Sequence, residues 1–443
     1  MAQLSVSKKV AYAFGSLSMN LANLIISQWL LRLYVPNRNE ALVGTAVFSI
    51  IFLFGRIIDG VTDPLVGHIS DNFQSKHGRR LPFIRAMILP TAIASFLLWT
   101  PPLPGVQHWI NSIYIFIMVQ CFFIFWTILA NPYMSLLPEL TTNLKERVNI
   151  STMQAVFLLI GTIIFAFIGP IKAVIGWKGM GALLGGLVFI TFLPTALFIR
   201  ERYKPDKTLK DETTLKQKFE GALTTFQNKP FRILLTATSL FWFSLNMITL
   251  LIPFWIETIL GRPDSDVALV MAPFLGANII FFFIFNWMSK RFGKRIVFLI
   301  TLAGSAVSMP LLVIVGMGIL PGTPLFQTQV IMGFIGIFVA GFMMLPYALL
   351  SDVIDFDSQH SRKRREGIFF GVQSIFQKSM IGVSIIAASF LMYLKGNDIP
   401  TEFGLKAITV TAGISAAIAF FIFILYPLKE RDGVILSKTN REV

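Results

Sequence analysis

Two carboxylates and a guanidinium stand inside an apolar run. Arg56, Asp59 and Asp63 fall within residues 42–69, a stretch that exceeds the roughly 20 apolar residues a bilayer-crossing helix needs. On insertion scales an ionised group at the centre of such a helix costs about 2.5–3.5 kcal/mol, so groups kept there call for a reason. Their i, i+3, i+7 spacing stacks all three on one helix face, with the two acids one turn apart. Two such acids can grip one small cation, Na+, or share a proton. An ion pair that only fixes helix packing is the alternative, but one arginine cannot neutralise two acids.

Other polar groups lie in apolar runs. Thr127 and Asn131 form an i, i+4 pair before Pro132. A Thr oxygen is a hard ligand of the kind Na+ takes, although in a membrane helix the hydroxyl commonly bonds its own i−4 carbonyl. Lys378 follows Gln373 and Ser374 at a depth from which snorkelling is strained, so it should face an acid or a polar substrate. Asn20 is a lone amide, readable as a helix–helix hydrogen bond. Trp126, Tyr133 and Trp255 are candidate stacking platforms. In the loop Ser70–Arg80, Asp71 with Arg79 or Arg80 can latch two helix ends, and the basic residues also suit contact with anionic lipid. His68, His77, His108 and His360 are scattered, and the only cysteine is Cys121. These offer no metal-ligand spacing, nucleophile elbow or nucleotide loop, so an enzyme is not expected, and neither is a cofactor beyond the coupling ion.

The elements that must position these groups are membrane helices. Of 443 residues 55% are hydrophobic and 14% charged, against about 25% charged in soluble domains. The net charge of +15 comes from short clusters between apolar runs rather than from one basic face, which argues against nucleic acid. Twelve spans are expected, near 10–34, 42–70, 82–101, 110–137, 150–175, 179–199, 233–258, 266–288, 296–317, 327–351, 367–394 and 404–427. The expected organisation is an N-terminal six-helix bundle (1–199), a cytoplasmic linker (200–232), a C-terminal six-helix bundle (233–428) and a cytoplasmic tail (429–443). No cleavable leader pattern follows Lys8 and Lys9, so the first segment is expected to remain as a helix. About 29 of the 38 Lys and Arg fall on the side of the N-terminus and about seven on the other, which predicts cytoplasmic termini in a cell membrane.

The halves repeat. Gly78-Arg79-Arg80 recurs as Gly293-Lys294-Arg295, 215 residues later, and Pro132-Tyr133 recurs as Pro346-Tyr347, 214 residues later. Two matches at nearly one offset predict a duplicated six-helix unit, the build of major facilitator transporters with substrate between the halves.

The run Arg56-Ile57-Ile58-Asp59-Gly60-Val61-Thr62-Asp63-Pro64, with Gly78-Arg79-Arg80, resembles the glycoside–pentoside–hexuronide:cation symporter family, the melibiose-permease branch of the major facilitators. The Pro132-Tyr133 element, Ser351–Asp355 and Gln373–Lys378 fit the same resemblance, which covers essentially the whole chain. It implies an all-α membrane protein of twelve helices and a cation site on Asp59, Thr62, Asp63 and Thr127. It also implies a substrate set at Asn20, Trp126, Asn131, Gln154, Gln373, Ser374 and Lys378. The family's sugar-binding acids in helices one and four fall on Asn20 and Ala130, and its helix-five arginine near Gln154, so melibiose itself is not the expected substrate. The expectation is Na+- or H+-coupled symport of a sugar, glycoside or similar solute by a monomer among membrane lipids. The alternative is an amphipathic, lysophospholipid-like substrate, as in sodium-dependent members of the same branch. A sensor or membrane enzyme is the third class, and the linker and tail are short for a sensor.

Overall fold

The computed structural model describes residues 4–36, 40–73, 75–76, 78–105, 107–141, 144–201, 224–361, 366–394, 400–431 and 434–437. Most of the expected linker, Arg362 to Arg365 and the last residues of the tail lie outside that set. So does the side chain of Asp71.

The chain forms two compact units, Met1–Leu215 and Lys216–Val443. The first holds α1 (Val6–Ala13), α2 (Gly15–Tyr34), α3 (Thr45–Asn72), α4 (Leu81–Leu97), α5 (Trp109–Leu140), α6 (Leu144–Ala166) and α7 (Ile168–Phe198). The second holds α8 (Lys229–Thr258), α9 (Val267–Phe292), α10 (Lys294–Ser308), α11 (Pro324–Ser361), α12 (Glu366–Met392) and α13 (Glu402–Ile424). Among the described residues eleven spans are long and apolar enough to cross a membrane, α1 and α2 counting as one, and the shorter apolar α4 fills the remaining place.

Packing repeats the sequence duplication inside each unit. In the first, α3 packs on α5, α2 on α6 and α4 on α7; in the second, α9 packs on α11, α8 on α12 and α10 on α13. Helices without a hydrophobic drive between them approach through small residues. Gly185 of α7 lies against the carbonyl of Ala92, where a Cβ would come within 2.5 Å, and Gly336 of α11 lies in the same way against Phe274. The repeated corners match too: Gly78 and Gly293 both take left-handed backbone, φ 103° and 84°, which glycine alone adopts without strain.

Three features depart from the expected spans. The loop predicted between spans five and six is a break at Phe167 followed by a kink at Gly176 (φ 68°) inside α7. The seventh span starts at Lys229, earlier than expected, because Asn228 caps it by accepting from the Phe231 N–H at 3.0 Å. The region after the last span carries a short two-stranded antiparallel ribbon, Leu428–Arg431 with Val434–Ser437, outside the helical spans.

Candidate functional site

In the first unit α3 and α5 lie side by side, and both carry polar residues at i, i+4. Asp59 is 2% exposed and its Oδ1 accepts a 2.7 Å hydrogen bond from the buried Thr127 hydroxyl. One turn further, Asn131 Nδ2 donates to Asp63 twice, to its main-chain oxygen at 3.0 Å and its carboxylate Oδ1 at 3.1 Å. Thr127 therefore bonds across to an acid rather than to its own i−4 carbonyl. Thr62 does the opposite: its hydroxyl donates to the Ile58 carbonyl at 2.8 Å and the Asp59 carbonyl at 3.2 Å, leaving only oxygen lone pairs for anything else.

Arg56 is buried beneath this pair. Its Nη1 lies 3.7 Å from Asp59 Oδ2, beyond hydrogen-bond range. The guanidinium instead donates to the Ser27 hydroxyl and reaches Asn23 Oδ1 at 3.5 Å. It lies over the rings of Phe123 and Phe52, at 4.7 and 5.2 Å. Among the described residues its buried Nε has no hydrogen-bond partner. Asn23 and Ser27 were not singled out in the sequence, although an amide and a hydroxyl at i, i+4 in an apolar run carry the same signal that marked Thr127 and Asn131.

The remaining predicted residues separate into other clusters. Asn20 Nδ2 donates to the Leu158 carbonyl at 3.0 Å and the Thr162 hydroxyl at 2.5 Å, tying α2 to α6. Gln154 lies near the phenols of Tyr12 and Tyr133. Those two tyrosines stack at 4.8 Å and exchange hydroxyl-to-carbonyl bonds of 2.8 and 2.6 Å, with Ser16 Oγ 3.1 Å from the Tyr133 hydroxyl. Trp126 is buried, stacked on Phe122 at 5.6 Å and edge-on to Phe192 at 6.3 Å, so its faces are packed against protein. Trp255 is also fully buried and donates to Thr328 at 3.2 Å. In the second unit Gln373 is buried with Oε1 lacking a hydrogen-bond partner among the described residues, and Ser374 and Lys378 lie half-buried on the same helix, α12. There Asn246 Nδ2 bonds Ser384 Oγ at 2.6 Å and approaches the Ile381 carbonyl at 3.4 Å. That tie of α8 to α12 is the counterpart of Asn20 on α6.

At the basic corner, the backbone N–H groups of Arg80 and Leu81 donate to the Glu201 carboxylate, at 2.9 Å and 3.2 Å to Oε2. A Cβ on Gly78 would collide with Glu201. Glu201 is thus an anchor of this corner that the sequence reading missed.

Among the described residues no group of three or more His, Cys, Asp or Glu could hold a metal ion. What α3 and α5 bring together is a hard-oxygen set of two carboxylates and a threonine hydroxyl, with one buried guanidinium set back. Such oxygens suit a monovalent cation or a proton and not a thiol- or imidazole-seeking metal.

The pattern of the MFS/sugar transport protein family matches residues 11–429. The chain belongs to that family. The isoprimeverose transporter of Lactiplantibacillus pentosus is 24% identical, covering 85% of this chain and 78% of its own. The sodium-dependent lysophosphatidylcholine symporter 1 of Homo sapiens is 25% identical, covering 97% and 87%. The solved nucleoside transporter NupG superposes with a TM-score of 0.69 at 12% identity, over 95% of this chain and 99% of that one, which shows the fold. This facilitator is accordingly a multi-pass membrane protein with the major facilitator fold, and its relatives are transporters and symporters.

Proposed function

We propose that the chain is a cation-coupled symporter, driven by Na+ or H+, for a sugar, glycoside or similar small organic solute. It works by alternating access as a monomer in the cell membrane, with both termini cytoplasmic. The observation that carries the proposal is the oxygen set that α3 and α5 bring together, the Asp59 carboxylate beside the Thr127 hydroxyl and the Asp63 carboxylate beside the Asn131 amide. Two carboxylates one turn apart in low dielectric repel each other, so the site favours capture of a monovalent cation or a proton. Asp59, Asp63, Thr127 and the lone pairs of Thr62 are its ligands. Capture draws α3 and α5 together along the Asp59–Thr127 and Asp63–Asn131 contacts. Coupling is then reciprocal: substrate that prefers the neutralised form tightens the cation by the same factor.

A second reading has support of its own. The positions at which the family's sugar-binding acids fall carry Asn20 and Ala130, and the Asn20 amide is spent on α6. A carboxylate makes charge-assisted hydrogen bonds roughly twice as strong as neutral ones, so a site without those acids holds sugar hydroxyls less firmly. An amphipathic, lysophospholipid-like substrate needs them less. The deciding experiment is uptake by the purified protein in liposomes across a panel of glycosides and lysolipids, with and without a Na+ or pH gradient. Accumulation of a glycoside only under a gradient supports the first reading, and accumulation of lysolipid alone supports the second. Uptake of any solute that ignores both gradients overturns the coupling.

A further inference from the structure

At the corner between α9 and α10, four basic residues fall within six positions: Lys290, Arg291, Lys294 and Arg295. Two of them are used inside the unit. Lys294 Nζ lies 2.7 Å from Asp352 Oδ1, and Arg295 Nη2 donates to the Ile424 carbonyl at 2.8 Å, at the end of α13. Lys290 and Arg291 are exposed, and among the described residues neither pairs with a carboxylate.

The Arg291 guanidinium is nevertheless braced. It lies 5.5 Å from the Trp287 ring and 5.6 Å from the Phe292 ring, which meet edge to face at 6.3 Å. A ring face steadies a guanidinium without using any of its N–H donors. The planar fork is therefore presented in a limited set of orientations with its hydrogen-bonding capacity intact, which suits two oxygens of a phosphate. Trp287 and Phe292 are themselves 55% and 47% exposed, the interfacial placement expected of an aromatic at the end of a span. Behind them on the same helix face, at spacings of three and four, Phe283 and Ile280 are 66% and 59% exposed. An exposed apolar stripe ending in an aromatic-braced guanidinium has the outline of a phospholipid, acyl chain first and headgroup last.

We propose that this corner is a docking site for an anionic phospholipid. Arg291 holds the phosphate bidentately, Lys290 supplies a second positive charge, and an acyl chain lies along Trp287, Phe283 and Ile280. A net-negative headgroup is preferred because the quaternary ammonium of phosphatidylcholine would face Lys290. The site is separate from the Asp59–Asp63 cluster and does not depend on the transport reading.

The test is native mass spectrometry of the full chain in detergent, titrated with phosphatidylglycerol or phosphatidylcholine. Phosphatidylglycerol should bind with clear preference, and Arg291→Gln should weaken that binding by about tenfold, Arg291→Lys by less, since a point charge replaces the fork. Phosphatidylglycerol affinity within about twofold of the parent in Arg291→Gln, or equal binding of phosphatidylcholine, overturns the site. Displacement of the lipid by millimolar inorganic phosphate also overturns it, because the anchor would then be a free-anion site. Should Arg291→Gln fail to purify as a folded monodisperse protein, Trp287→Leu keeps every charge and removes the brace. It should still weaken phosphatidylglycerol binding, and unchanged binding overturns the proposal.

Discussion

Asp59 and Thr127 are joined by a 2.7 Å hydrogen bond between buried atoms 68 residues apart, and Asp63 and Asn131 repeat the same separation one turn along. Two helices in register make a two-runged ladder, with acids on α3 and neutral donors on α5. A neutral donor leaves the carboxylate charged. Had α5 offered lysines instead, each acid would meet a cation from α5 and hold another less firmly.

From that asymmetry it follows that removing either charge removes the driving force. Asp59→Asn and Asp63→Asn should each abolish gradient-driven accumulation in liposomes while leaving inserted, monodisperse protein. Thr127→Ala keeps both charges and loses one hydrogen bond to a carboxylate, worth about 1.5–3 kcal/mol. It should raise the half-saturating cation concentration by roughly tenfold to a hundredfold without abolishing uptake. Normal accumulation in either Asn variant would refute the site.

Asn131 separates two roles. Its amide is committed to Asp63 through both side-chain and main-chain oxygens. Asn131→Ala should therefore shift the apparent cation affinity at saturating substrate. A substrate ligand would behave differently: its loss would change the substrate half-saturation and leave cation dependence intact. Measuring both titrations on one variant distinguishes them.

How far the residues themselves announced this depends on where each partner comes from. The acids and Thr127 were legible because ionisable and hydroxyl groups are conspicuous in apolar runs. The repeated corners were legible because glycine followed by two basic residues occurs at one offset. The partners of Arg56 were not, since Asn23 and Ser27 meet it through the packing of α2 on α3, and no spacing within either helix encodes which faces meet. Asn20 shows the same limit from the other side. Its amide was legible as a helix–helix hydrogen bond, but its direction toward α6 depends on helix packing. Glu201 was hidden by distance, reaching a corner 121 residues earlier.

Arg56 has a structural consequence apart from transport. A buried guanidinium close to one carboxylate leaves that carboxylate in a poorer environment when it is removed. Losing one partner of a buried pair costs about 3–5 kcal/mol; the 3.7 Å separation argues for the low end. Arg56→Gln should lower the melting temperature in detergent, and adding Na+ should raise it by more than in the parent, because the two acids then lack the nearby guanidinium. A melting temperature unchanged from the parent would mean the guanidinium contributes nothing to the fold.

The N-terminal segment is clasped at Glu146. Its carboxylate accepts from the Thr141 hydroxyl at 2.5 Å and the Leu4 N–H at 2.8 Å, and lies 3.0 Å from Lys9 Nζ. The Thr141 hydrogen bond and then the Lys9 ammonium hold the carboxyl below its ordinary range. The sign follows from linkage: a depressed folded-state value gives stabilisation that is present above the unfolded-state value and lost as pH falls through the folded one. Acidification below the ordinary carboxylate range should release residues near Leu4, read as faster amide exchange or proteolysis there. Glu146→Gln should show that release at neutral pH and lose the pH dependence.

The Glu201 anchor gives the last test. Its carboxylate satisfies the N–H groups of Arg80 and Leu81 at the start of α4, where backbone donors have no partner within the helix. Glu201→Ala should cost about 1 kcal/mol, the usual value of a lost helix cap, and lower the melting temperature slightly. Gly78→Ala should cost more, because a side chain there meets both a φ of 103° and the Glu201 carboxylate. Combining the two substitutions removes the collision but keeps the backbone strain. The double variant should therefore be less destabilised than the sum of the singles, an interaction a double-mutant cycle measures directly. Strict additivity would show that Glu201 does not occupy the space in front of Gly78.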